Sequence, residues 1–201
     1  MPASPPPAGS GTSFWSAANL GDPKRAYRWV VTITGFGADT ATWHAKKVSK
    51  PSFAITETAH TFLNHKFYYP GRVEWNTVTV TLVDPVNPDA AANTTAIIAA
   101  SGYAIPGSKD VRSTMGKANA VHALGSVQIE QLNTEGTAVE TWILKNAWIK
   151  DVKYGDLDYE ADDLTMIDLE IRYDWAELVT ATPSDAGAAL PNTNKFFSTS
   201  S

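Results

Sequence analysis

The sequence predicts a mainly β fold: an antiparallel β-sandwich or partial barrel with one α-helix packed outside it. Three observations carry this. Apolar residues alternate with polar ones at a period of two, in Val78, Val80 and Leu82 and again in Ile167, Leu169, Ile171, Tyr173 and Trp175. Val, Ile, Thr and aromatic residues fill the runs between short turns, as pleated sheets prefer. A single Ala-rich stretch, AAANTTAIIAAS, breaks the alternation and reads as the helix.

The elements follow in order. Residues 1–13, rich in Pro, Ala, Ser and Gly, bury too little to offset their ordering entropy and read as a flexible N-terminal arm. Residues 14–179 read as one β domain. Tyr27–Thr34 alternates Tyr27, Trp29, Val31 and Ile33 against Arg28, Val30, Thr32 and Thr34, and Trp43–Val48 is a short strand with a basic edge. His60–Tyr69 and Trp75–Val83 are expected as a hairpin closed by a Pro70-Gly71 turn. Asn87-Pro88-Asp89 then supplies a cap, a first-turn Pro and a first-turn acid, so a helix is expected there, stopped by Gly102 and pinned to a sheet by Ile97, Ile98 and Tyr103. A second short helix is expected over Met115–Leu124, stopped by Gly125. Val127–Leu132, Val139–Asn146 and Trp148–Tyr154 read as a meander closed by Leu164–Trp175. Residues 180–201 resemble the arm in composition and read as a flexible C-terminal tail.

Composition narrows the function. The net charge is −5 with 21 acids against 16 Lys and Arg, which argues against gripping nucleic acid by phosphate neutralisation. There is no cysteine, so disulfides and thiolate chemistry are excluded. No apolar run reaches the roughly 20 residues of a membrane-spanning helix, and no secretory signal is visible, so synthesis and assembly in a cytoplasm are expected.

No constellation of residues points to catalysis. His44, His60, His65 and His122 show no metal-ligand spacing, and no nucleophile elbow or phosphate loop occurs. Asp156, Asp158, Glu160, Asp162 and Asp163 alternate like the oxygens of a calcium loop, but Ala161 stands where the turn glycine belongs and Ile167 where the bidentate Glu belongs. No cofactor or metal and no enzyme activity are therefore expected. The acidic run reads instead as a rim hairpin, able to repel DNA or to meet a basic patch on a neighbour. Lys46, Lys47 and Lys50 form a basic cluster suited to the same role, and Phe14 and Trp15 are placed to anchor the arm on an adjacent subunit.

The long strands of this sequence carry little to blunt a sheet edge: Leu164–Trp175 holds no Pro, and Trp75–Val83 shows the same two-faced split. Such strands can pair with a neighbouring copy and complete a larger barrel.

Three stretches in this order, Asp22–Phe36, Asn64–Asp84 and Gly155–Leu178, together resemble the tail tube protein of contractile-tailed bacteriophages and the related type VI secretion ring. The resemblance covers roughly Tyr27–Glu177. It implies a β-sandwich with a flanking helix that forms stacked hexameric rings around a lumen, inside a contractile sheath, with DNA passing down the bore. It further implies a virion tail location and, as partners, the sheath protein, a baseplate tube initiator, a tape-measure protein and a tail terminator. The initiator shares much of the pattern. Thr77, Thr79, Thr81, Asp168, Glu170 and Asp174 are the expected lumen-facing residues, and six copies at −5 would give a ring of about −30 that repels phosphate. The alternative is a carbohydrate- or other ligand-binding β-sandwich, in which exposed Trp residues would form the platform.

Overall fold

The computed structural model describes residues 23–36, 44–105, 114–160, 162–182 and 192–197. The N-terminal arm, with Phe14 and Trp15, lies outside them, as does Trp43. In chain order the elements are β1 (Trp29–Ile33), a 3-10 turn (Thr34–Phe36), β2 (Ala45–Val48), β3 (Phe53–Phe62), β4 (His65–Trp75) and β5 (Val78–Val83). Two helices follow, α1 (Ala90–Ala100) and α2 (Lys117–Leu124). Then come β6 (Val127–Leu132), β7 (Ala138–Lys145), β8 (Trp148–Tyr154), β9 (Met166–Arg172), β10 (Trp175–Thr182) and β11 (Asn192–Phe196).

The strands form a five-stranded sheet, β1-β6-β7-β10-β11, facing a four-stranded sheet, β2-β5-β9-β8, and a separate two-stranded ribbon, β3-β4. All pairings are antiparallel. Alternation places Val31, Ile33, Val127, Ile129 and Leu144 on the inner face of one sheet, and Val78, Val80, Leu82, Ile167, Leu169 and Ile171 on that of the other; all are buried. The two inner faces make one core, which gives the β-sandwich expected from the alternation.

Two of the connections that switch sheets are tight corners. β7 and β10 are neighbours in the larger sheet and β8 and β9 in the smaller one, so the chain crosses at Asn146-Ala147 and again at Tyr173-Asp174. Asn146 takes a left-handed φ of 54° there, a conformation Asn tolerates better than most residues. Asp174 ties both corners: its carboxylate accepts from Asn146 Nδ2 at 2.8 Å and from Lys117 Nζ at 2.6 Å, and its N–H donates to the Lys145 carbonyl. Burial raises the Asp174 pKa, but the hydrogen bonds from Lys117 and Asn146 outweigh it and hold the carboxyl below its ordinary value.

The helix expectations hold in position and change in detail. The α1 cap is Asp89 rather than Asn87, accepting from the Ala92 N–H. The stripe Ala90, Thr94, Ile97 and Ser101 is buried, and the Thr94 and Ser101 hydroxyls donate to carbonyls four residues back. This stripe packs against α2 and the 3-10 turn, with Ala90 and Ile97 joining the core between the sheets, while Tyr103 is exposed. Gly102 and Gly125 end the two helices at positive φ, as their sequence positions suggested.

Three strand expectations are corrected. The expected hairpin does not form: β4 pairs with β3, and β5 pairs with β2 and β9. The Pro70-Gly71 pair sits inside β4 at a register shift, and the reversal falls at Leu63-Asn64. The strands read as free edges, β5 and β9, lie in the interior of the four-stranded sheet, with edges instead at β1, β11, β2 and β8. Residues 192–196, inside the expected flexible tail, pair as β11 with β10.

Candidate assembly surface

The ribbon projects ten and eleven residues of strand, about 33 Å of reach, and every residue of β3 is exposed, as is all of β4 except Trp75. A lone two-stranded ribbon is marginal in water, so its side chains are the first place to look for a partner surface. Register pairs share a face. Near the root, Phe53 faces Trp75 and Ile55 faces Val73, so the odd-numbered face of β3 is apolar. Beyond the register shift that face carries Glu57 opposite Pro70, Ala59 opposite Tyr68 and Thr61 opposite Lys66, and the opposite face becomes the more aromatic: His60 opposite Phe67, Phe62 opposite His65, and Tyr69 beside Thr58. The ribbon is thus apolar on one side at its base, and at its tip the larger share of its aromatics lies on the other side. His65 and Phe67 stack edge to face at 4.8 Å on the tip.

Gly71 makes the switch possible. A Cβ there would lie 2.3 Å from Thr56 Oγ1 and 2.9 Å from the Thr56 carbonyl oxygen. Thr56 fills that space, accepting from the Arg72 N–H at 2.8 Å. The extra residue on β4 is a β-bulge of the sort that bends and re-aims a strand.

The root of the ribbon is fixed on three sides. Phe53, Trp75, Tyr173 and Phe197 form an aromatic knot with centroids 5.1–6.1 Å apart. Asn76 bonds Ser52 through its backbone at 2.8 Å and its side chain at 3.0 Å. Lys50, three residues before β3, bonds Glu140 at 2.7 Å on the larger sheet, where Lys24 and Trp142 Nε1 also donate to the same carboxylate. Burial pushes the Glu140 pKa up, but the hydrogen bonds from Lys24, Lys50 and Trp142 outweigh it and bring the carboxyl down to about 2. Lys50, expected as a stacking residue, is therefore engaged within its own subunit.

The expected lumen residues divide. Thr79 pairs with Glu170 and Thr81 with Asp168 across β5 and β9, on the outer face of the four-stranded sheet, where Thr81 donates to Asp168 at 2.6 Å. Thr77 also donates to Glu170. Asp174 is not on this face; it braces the corners. The face is balanced rather than net acidic: Asp151, opposite Glu170, adds a third acid to Asp168 and Glu170, while Lys47 lies opposite Thr81, Lys153 opposite Asp168, and Lys150 bonds Glu170 at 2.7 Å. The hydrogen bond from Lys150 leads in keeping Glu170 below its ordinary pKa. The negative charge sits elsewhere. Asp156, Asp158, Glu160, Asp162 and Asp163 crowd the β8–β9 loop with no Lys or Arg between them, and the remaining sixteen acids of the chain are matched by its sixteen Lys and Arg. In this exposed loop Asp158 accepts from the Glu160 N–H at 3.0 Å. Lys46 lies near the same end, its Nζ 3.5 Å from Met166 Sδ.

Among solved structures the chain is similar to one from the anti-feeding prophage baseplate, six-fold symmetrised (TM-score 0.57, 15% identity, 80% of this chain and 98% of that one). It is similar to a chain of the sheath–tube complex of the extracellular contractile injection system PVC in its extended state (0.55, 16%, 79% and 92%). A third is the tube-terminating cap of the anti-feeding prophage (0.53, 14%, 81% and 94%). The chain shares the fold of these three chains. The sequence matches no protein-family model and no curated protein.

With this fold in hand, the ribbon and the Glu140 clamp are the features sequence reasoning missed. Bulky exposed aromatics at alternate positions, His65, Phe67 and Tyr69, were the available signal for the ribbon. The clamp joins residues 90 and 116 positions apart, and no local pattern announces it. Among the described residues, no three or more His, Asp or Glu side chains gather closely enough to hold a metal ion, and no helix is long and apolar enough to cross a membrane. Trp29, Trp75, Trp142, Trp148 and Trp175 are all half-buried.

Proposed function

We propose that this chain is a tube-type structural subunit of a contractile tail or injection system, assembling as stacked six-membered rings in which the β-sandwiches join into a continuous barrel around a bore. The observation that carries this reading is the rigidly rooted ribbon, whose outer edges pair with no other strand among the described residues and whose aromatic stripe is exposed. Exposed apolar surface of this extent marks an interaction site, and the fold likeness to chains of sheath–tube, baseplate and cap assemblies supports a second copy as the partner. Ring closure runs through the edges β1, β2, β8 and β11 and the ribbon, not through β9. The sheath protein, a baseplate tube initiator, a tape-measure protein and a tail terminator are the further partners, and assembly takes place in a host cytoplasm before the tail of a virion is complete. The outer face of the four-stranded sheet, with hydroxyls and balanced charge, suits a bore wall along which DNA slides without being held. The role is structural, with no catalytic step.

Negative-stain microscopy and sedimentation of the purified chain test this. Annuli and tubes are expected, and the triple variant Phe62→Ser, Phe67→Ser, Tyr69→Ser is expected to remain a folded monomer. A wild-type chain that stays monomeric at every concentration would refute the reading.

A further inference from the structure

The β8–β9 loop and the opposite end of the same two strands are complementary surfaces that cannot meet within one molecule. The loop presents Leu157, Tyr159 and Leu164, all strongly exposed, among its five acids. At the other end, where β8 begins and β9 ends, a groove of about 450 Å³ opens between the strands and α2. Met115, Ala120 and Trp148 make its apolar part, and Lys117, Arg172 and Asp174 its charged rim, two positive charges against one negative. Lys117 is held in place by Asp174, whose carboxylate is also occupied by Asn146. Arg172 is exposed and hydrogen-bonded to no carboxylate among the described residues. Seven residues of β8 separate the two surfaces, roughly 20 Å of strand. Lys46 sits at the loop's own end and cannot serve a loop arriving from outside, and Lys47, Lys150 and Lys153 lie on the outer face of the sheet beside Asp168 and Glu170.

We propose that the acidic, apolar loop of one subunit docks in the Trp148–Arg172 groove of a second copy, head to tail along the strand direction. Tyr159 and Leu157 fill the apolar part, and the loop carboxylates pair with Arg172 and the rim of Lys117. Each copy carries one loop and one groove at opposite ends, so the contact is heterologous and repeats without limit. It rests on the stacked-ring reading and assigns to that reading its axial contact, whereas the ribbon reaches sideways and across. The chain's whole excess of negative charge then lies at ring junctions rather than in the bore.

Charge reversal tests the contact. Arg172→Glu alone, and Asp158→Lys with Asp163→Lys alone, are each expected to raise the concentration needed for tubes by about tenfold or more while rings persist by mass photometry. Combining all three changes is expected to restore tubes. The loop side chains are exposed, so the loop variant reports even where Arg172→Glu disturbs folding. Wild-type tubes are also expected to dissociate as salt rises from about 50 to 500 mM, where screening shortens the reach of charge. Rings that stack equally well after either reversal, or tubes indifferent to salt, overturn the contact and leave the ring reading standing. A wild-type chain that forms no rings overturns the ring reading, and the contact with it.

Discussion

Protonating or removing the Glu140 carboxylate should loosen the root of the ribbon, and the size of the effect follows from the structure. The side chain of Glu140 is 10% exposed and its pKa is about 2, against an ordinary 4.5. A shift of this size corresponds to about 3 kcal/mol at about 1.4 kcal/mol per unit. The two lysines are half exposed, and solvent screening of their charges trims the expected contribution to about 1–2 kcal/mol. The folded-state pKa lies below the unfolded one. The stabilisation is therefore complete above pH 4.5 and is lost as pH falls toward 2. Urea unfolding of the dissociated subunit, wild type against Glu140→Gln, isolates this group because Asp174 and Glu170 titrate in both. At pH 7 the variant is expected to unfold at lower urea by the equivalent of about 1–2 kcal/mol, and the gap is expected to close between pH 4.5 and 2. Trp142 donates to the same carboxylate, so its fluorescence should shift over the same range. Parallel pH profiles for the two proteins would show that Glu140 does not hold Lys50 and the ribbon root as described.

Two further outcomes follow from the geometry. Gly71→Ala places a methyl 2.3 Å from Thr56 Oγ1, so the bulge must shift; amide exchange is expected to speed up across Phe53–Trp75 and to leave β5 and β9 unchanged, and unchanged protection in the ribbon would contradict the bulge's role. Asp174→Ala removes the shared acceptor of Lys117 and Asn146 at the two corners, which should cost about 1–3 kcal/mol and lower the melting temperature by several degrees. A melting temperature within a degree of wild type would mean the corners hold without it.

The sandwich was legible because burial writes itself into alternation: Val78, Val80, Leu82 and Ile167, Leu169, Ile171 can sit only on one inner face each. The helices were legible from Ala content and their terminal glycines. The ribbon was misread because its chemistry inverts the usual signs. A Pro-Gly pair marks a turn in most chains, and here it makes a bulge in mid-strand; the true reversal uses Leu63 at a φ of 51°, which a sequence gives no reason to expect. Strand neighbours were also beyond reach. β9 has the composition of an edge, yet its lack of Pro is equally what an interior strand requires. The acidic face failed for a related reason. Asp168 and Glu170 are visible along one strand, while the lysines that neutralise them arrive from β2 and β8 through pairing.

The change of apolar side along the ribbon has a mechanical consequence for a tube made in the proposed way. A projection whose base leaves Ile55 and Val73 bare on one side, beyond the knot of Phe53 and Trp75 with Tyr173 and Phe197, and whose tip is more aromatic on the other side is not satisfied by a single flat neighbour, so in such a tube every subunit would clasp two others at once. No ring member can leave without opening contacts on both, and damage at one point is shared around the circumference. Such a cylinder nucleates slowly, since the first few members lack a full set of neighbours, and once grown it sheds pieces from its ends rather than breaking in the middle.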